Sequence, residues 1–221
     1  MESSFWLNKW QRNEIGFHTG DVHPLLTRYW PLLPVPEGSR VLVPLAGKSQ
    51  DLRWLTDQAY AVTAVELSEL AAQAFFAAQQ WSPSTDQHGA YTRYRSAGVT
   101  LDFLVGDIFD LTGTPTAQFD AVYDRAALIA LPASMRDQYI DTLTQVLSAS
   151  AQYLLISLEF PVARTGGPPF AIPEAAVRAL FEPRFTVDVL GRHPADVKGE
   201  PCNEVVYQIT LTPTAYDHPV D

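Results

Sequence analysis

The stretch Arg40-Val-Leu-Val-Pro-Leu-Ala-Gly-Lys-Ser49, followed by Ala61-Val-Thr-Ala-Val-Glu-Leu-Ser68, constrains this chain more than any other. It reads as a strand, a turn, a helix and a second strand that ends in a carboxylate. Glu66 comes 21 positions after Leu45. That is close to the roughly 20 residues that a Rossmann-type crossover sets between its cofactor-binding turn and the acidic residue that takes a ribose hydroxyl. A unit of this kind needs a parallel sheet covered on both faces, and it makes a nucleoside cofactor the first expectation.

The alternation continues along the chain. Strands are expected at 40–45 and 61–66, with helices at 49–58 and 68–81, the second opening on Ser68 as N-cap. Residues 82–90 are polar and turn-rich. Next, 91–95 and 99–105 read as a hairpin leading into the third core strand, and 119–123 as the fourth. A helix at 134–147 and a fifth strand at 153–158 follow, then a loop over 161–169 and a helix from Pro173 to Phe181. The segments 185–190 and 205–211 alternate like an antiparallel pair. Ahead of the sheet, Trp6 and Trp10 lie at i, i+4 on a short helix, and 23–30 forms a second one ended by Pro31. The expected organisation is one domain over 1–221, with an N-terminal helical segment (1–38) covering the site, an α/β core (39–212) and a tail (213–221).

At 221 residues and 47% hydrophobic content, the chain is long enough for one α/β core and short for two. A formal charge of -10 opposes a nucleic-acid or anionic-membrane partner, since phosphate affinity comes from clustered Lys and Arg. With one cysteine, Cys202, and five scattered histidines, neither an intrachain disulfide nor a metal site is expected. The start, Met-Glu-Ser-Ser-Phe-Trp, has no basic region leading into an apolar run, and no apolar run is long enough to cross a bilayer. A cytoplasmic protein that works as a monomer on a small molecule is the expectation.

In an open parallel sheet the ligand crevice lies beyond the carboxyl ends of the strands. The residues placed there are Pro44-Leu-Ala-Gly47, Glu66, Asp107-Ile108, Asp124-Arg125 and Ser157-Leu-Glu159. The first turn offers Gly47 alone, without the glycines that bring backbone N–H groups up to a pyrophosphate, and Lys48 is not part of a phosphate loop. A cofactor without phosphates tolerates that. S-adenosylmethionine is one, and Glu66 could then accept both ribose hydroxyls. A dinucleotide-dependent oxidoreductase and a noncatalytic nucleoside-binding module are the competing readings.

Several motifs together resemble the thiopurine S-methyltransferase family: Trp6-x-x-x-Trp10, Ile15-Gly-Phe-His18, Val43-Pro-Leu-Ala-Gly-Lys48, Val65-Glu-Leu-Ser-Glu69, Asp107-Ile-Phe-Asp110, Tyr123-Asp-Arg-Ala-Ala-Leu128 and Gly167-Pro-Pro-Phe170. The resemblance implies a Rossmann-like class I methyltransferase fold with a mainly parallel seven-stranded sheet and one reversed edge strand. It implies methyl transfer from S-adenosylmethionine to aromatic or heterocyclic thiols, and in bacterial members an association with selenium or tellurium compounds. Cofactor contacts then fall on Trp10, Leu45, Glu66, Asp107, Ile108 and Arg125. Phe17 and Phe170 are the acceptor-side candidates. The family's basic residue before the last strand leaves Lys198 and Arg192 as candidates in the loop 193–200.

Plainer roles stand beside these. Trp6 reads as a packing aromatic, Phe17 equally as a loop anchor, and His18 as a hydrogen-bonded loop residue. Asp107 could only cap a turn, and Asp124 could only orient Arg125. A thiolate is already a strong nucleophile, so no general acid or base is named. Arg125, always charged, could favour the acceptor anion or brace the cofactor.

Overall fold

The computed structural model describes residues 3–16, 18–114, 117–161 and 166–211. Phe17 and the segment 212–221 that holds the expected tail lie outside the described residues. The helices are α1 (Ser3–Gln11), α2 (Pro24–Tyr29), α3 (Asp51–Asp57), α4 (Glu69–Ala78), α5 (Ala133–Val146) and α6 (Glu174–Phe181). The strands are β1 (Arg40–Pro44), β2 (Ala61–Glu66), β3 (Ser84–His88), β4 (Tyr91–Arg95), β5 (Leu101–Val105), β6 (Phe119–Arg125), β7 (Leu147–Glu159), β8 (Phe185–Val197) and β9 (Glu200–Leu211). None of the helices among the described residues is long and apolar enough to cross a membrane.

The described strands form one sheet in the order β3-β4-β5-β2-β1-β6-β7-β9-β8. From β5 to β7 all neighbours are parallel. Apolar residues fill both phases of these strands, as burial on two faces requires. Leu42, Val65, Val122 and Leu155 point to one face, where they pack with Tyr139, Ile140 and Leu143 of α5 and Val177 and Phe181 of α6. Val41, Val43, Ala64, Tyr123 and Ile156 point to the other, against Leu25 and Leu26 of α2, Leu52 and Leu55 of α3, and Phe75 and Phe76 of α4. This is the doubly wound class expected from the alternation.

The sheet is wider than the seven strands expected. Seven of the nine, β5-β2-β1-β6-β7-β9-β8, make that core, but its reversed strand is not at the edge: β9 runs antiparallel between β7 and β8. The other two come from 82–95. The polar, turn-rich stretch 82–90, where no strand was expected, contains β3, an edge strand antiparallel to β4. Ser84, Thr85, Asp86 and Gln87 are all exposed, so no apolar alternation marks the strand. Backbone pairing and the Arg93–Asp86 ion pair at 2.6 Å hold it instead. Such a polar edge also discourages pairing with other chains.

The loop expected at 193–200 is likewise strand. β8 and β9 continue past the sheet as a hairpin, paired as far as Val197↔Glu200. Lys198 and Gly199 form its turn, with φ of +57° and +83°. Two successive left-handed residues match the twist of the flanking strands, which is why short hairpins favour them.

Candidate active site

Beyond the carboxyl ends of the parallel strands, under α1 and the segment leading into α2, lies a cavity of about 520 Å³. All six residues expected to contact a cofactor line it: Trp10, Leu45, Glu66, Asp107, Ile108 and Arg125. They come from α1 and from the ends of β1, β2, β5 and β6, so the sheet itself gathers them.

The turn after β1 wraps around the Glu66 carboxylate. Gly47 N–H donates to Oε2 and Ser68 N–H to Oε1, each at 2.9 Å. Ser68 stands at the N-cap of α4 as expected, yet its side chain caps nothing, and its N–H turns to Glu66 instead. Leu45 holds φ of +47°, a conformation costly for a bulky side chain, and Gly47 holds +55°. A left-handed turn here brings the Gly47 N–H onto Glu66, and a glycine pays no steric penalty for it. Burial raises the Glu66 pKa from 4.5, and the N–H groups of Ser68, Gly47 and Leu67 pull against that rise.

Trp10 is 8% exposed, and its Cζ2 would lie 3.6 Å from a Cβ placed on Gly47. The indole thus closes over the turn. On the far side Asp107 Oδ1 accepts Phe109 N–H at 3.1 Å, so the plain capping role holds, while the residue still faces the cavity. Its carbonyl accepts Tyr91 O–H at 2.6 Å. Tyr91 crosses under Gly106, where a Cβ would come within 2.6 Å of its Cδ1. Gly106→Ala is therefore expected to cost about 1 to 3 kcal/mol through overpacking and to displace Asp107. Urea denaturation measures it, and an unchanged midpoint would show that Tyr91 moves aside freely.

The fit to S-adenosylmethionine follows from the Glu66 carboxylate. Gly47 N–H and Ser68 N–H approach different oxygens of the carboxylate, an arrangement that suits a vicinal diol. An aromatic closes the rim, as suits a sulfonium.

The same cavity is also lined by Ile156, Leu158, Pro168 and Pro169 together with His18, His23, Asp51, Tyr123, Lys198 and Glu204. Phe170 is not among the lining residues. Its N–H donates to Ile129 O at 2.7 Å and its ring lies 5.6 Å from the Arg136 guanidinium carbon, so Pro168 and Pro169 are the part of that loop facing inward. Lys198 reaches the cavity from the hairpin turn. Arg192 is held elsewhere, by Glu159 at 3.3 Å and by Glu174. His18 sits below its ordinary pKa through burial and through the charges of Lys48 and Arg125, which keeps it neutral. Asp51 and Glu204 were missed in the sequence. A signal existed for Glu204: it stands in phase with Val206 one step before the apolar run 205–207.

The sheet order and the rim match the Rossmann-like class I methyltransferase fold. Solved structures agree: a Burkholderia thailandensis 1,6-didemethyltoxoflavin-N1-methyltransferase with bound S-adenosylhomocysteine superposes with a TM-score of 0.67 at 18% identity, over 95% of this chain and 87% of that one. A SAM-dependent methyltransferase from Methanosarcina mazei gives 0.61 at 17%, over 87% and 100%. The family model for thiopurine S-methyltransferase matches residues 1–209. Relatives carrying that name include one from Nitrosospira multiformis, 44% identical over 87% of this chain and 86% of its own. Another, from Pseudomonas aeruginosa, is 44% identical over 90% and 89%. The chain belongs to the thiopurine S-methyltransferase family, and S-adenosylmethionine is its cofactor.

Proposed function

We propose that this chain methylates the sulfur of small aromatic or heterocyclic thiols, thiopurines among them, and also accepts selenium or tellurium anions of similar softness. The observation that carries the proposal is that Ile156, Leu158, Pro168 and Pro169 line the same cavity as Arg125 and Lys198. Apolar walls suit a flat ring, and fixed positive charge suits a thiolate. The family and the two relatives named above point to the same acceptor class.

S-adenosylmethionine, when bound, supplies an electrophilic methyl group on a sulfonium. The residues that would hold it are Glu66 for the ribose, Asp107 and Ile108 for the base, and Trp10, Leu45 and Arg125 around the remainder. α1 covers the rim and excludes water, which strengthens every charge interaction beneath it. What remains for the protein is alignment and the ionisation state of the acceptor, and alignment alone supplies much of the acceleration in such transfers. Arg125 cannot lose its charge at working pH, so it lowers the pKa of a nearby thiol.

Arg125→Gln is expected to lower kcat/KM about 10- to 100-fold and to move the acidic limb of its pH profile upward. The identifying measurement is labelled methyl transfer to a panel of aromatic thiols, phenols, anilines, selenite and tellurite. Turnover confined to oxygen or nitrogen acceptors would sink the sulfur reading.

A further inference from the structure

We propose that Glu204, braced by His23, is a specificity-determining subsite that selects heteroaromatic acceptors presenting an N–H on the edge remote from the reacting sulfur. This rests on the reading of the cavity as a site for small sulfur acceptors.

Glu204 lies opposite Leu158 in the β7–β9 ladder, and Leu158 is itself a cavity wall. Val206, two residues on and in the same phase, packs in the core beside Ile156. A carboxylate in that phase is costly unless hydrogen-bond donors reach it. The site is built to supply one. His23 Nε2 meets Glu204 Oε1 at 3.2 Å, with the His23 side chain 6% exposed and that of Glu204 22%.

The tautomer follows from the other ring nitrogen. Leu25 N–H donates to His23 Nδ1 at 3.3 Å, so Nδ1 is an acceptor and the proton sits on Nε2. His23 therefore braces Glu204 through its Nε2–H. His23 is fixed in turn: its backbone N–H donates to Asp51 Oδ1 at 2.7 Å, and Tyr123 O–H donates to Asp51 Oδ2 at 3.0 Å. Asp51 is 2% exposed. The brace is thus anchored to α3 and β6.

Among the described residues, only Oε1 of Glu204 receives a hydrogen bond. Oε2 is left to the cavity. Burial raises the Glu204 pKa, but the His23 bond and the charges of His23, Arg125 and His193 outweigh it and leave the group below its ordinary value. An ionised carboxylate only accepts. A ligand group beside it must donate, and a thiolate sulfur is repelled toward Arg125. One charge of each sign thereby orients a ring with sulfur at one edge and N–H at the other. A ring with no donor leaves Glu204 without its partner, the situation in which polar sites reject an analogue strongly.

The test uses two thiols of similar size, 5-mercaptobenzimidazole, whose ring N–H lies on the edge remote from the sulfur, and 2-naphthalenethiol, which has none. Their affinities are measured by calorimetry on protein saturated with S-adenosylhomocysteine, for the parent, Glu204→Gln and Glu204→Leu. Both variants should weaken the benzimidazole about tenfold or more and leave the naphthalenethiol unchanged or tighter. Unaltered S-adenosylhomocysteine affinity certifies the fold, and the near-isosteric Glu204→Gln carries the test should Glu204→Leu unfold. An equal change for both thiols, no change for the benzimidazole, or no binding of it to the parent overturns the subsite. Methyl transfer to 2-naphthalenethiol by the parent is read separately. Its absence beside Glu204-dependent benzimidazole binding would fail the sulfur reaction and leave the subsite standing.

Discussion

Glu66→Gln is expected to weaken S-adenosylmethionine binding by about 2 to 4 kcal/mol, roughly 30- to 1000-fold, with the sheet still folded. Two effects add. The amide cannot accept two ribose hydroxyls as a charge does, and charge-assisted bonds are the stronger ones. Its NH2 must also face one of two donors, Gly47 N–H or Ser68 N–H, which now hold the carboxylate at 2.9 Å each. One of them loses its acceptor, and the turn bearing Leu45 and Gly47 loosens.

A pH dependence accompanies it. Burial raises the Glu66 pKa from 4.5 in the free protein, and hydroxyl donors from the ribose would stabilise the anion and lower it again. The free-protein pKa therefore exceeds that of the complex. Affinity is full above the free-protein value and falls as pH drops through it, about tenfold per unit, until the lower value of the complex is reached. Calorimetry across pH, parent against Glu66→Gln, checks both points. The ribose role fails if the variant binds within roughly threefold of the parent, or if both show the same slope.

How far the sequence disclosed this site depends on what each residue advertises. Glu66 and Leu45 were legible because a crossover fixes the distance between a first turn and a second strand end. Asp107 and Arg125 were legible as polar residues closing apolar runs. β3 was not, because a strand buried on neither face shows no alternation of period two. The β8–β9 extension was hidden differently: Arg192, Pro194 and Asp196 are exposed on one face, and Ala195 and Val197 on the other are only partly buried, an alternation too weak to read through a proline. Phe170 illustrates a different limit. Its aromatic character suggested a ligand wall, but the Arg136 guanidinium and the Ile129 carbonyl take it, and no spacing in the sequence distinguishes the two. His23, Asp51 and Glu204 meet only through the tertiary fold, across 28 and 181 positions.

Asp124→Ala is expected to destabilise the fold by about 4 kcal/mol, the largest loss of any single substitution considered. Asp124 is 0% exposed, and burial raises its pKa against the pull of Tyr153, Leu128 and Tyr139. Its Oδ2 accepts Tyr153 O–H at 2.5 Å and Tyr139 O–H at 2.8 Å, and its Oδ1 accepts Leu128 N–H at 3.1 Å. Truncation leaves all three donors buried without an acceptor, and each then costs its full desolvation. The damage also reaches the cavity, because the same carboxylate pins the turn at Ala126, whose φ is +67°, and that turn carries Arg125, Ala126 and Ile129 on the cavity wall. A double-mutant cycle separates the hydrogen bonds from lost volume. Tyr153→Phe should cost about 1 kcal/mol in the parent and nothing, or less than nothing, beside Asp124→Leu, since the orphaned hydroxyl is then removed. Equal costs in both backgrounds, read by urea denaturation, would mean that Asp124 and Tyr153 are not coupled, and the D-R step of the motif would then owe its aspartate to something other than this buried network.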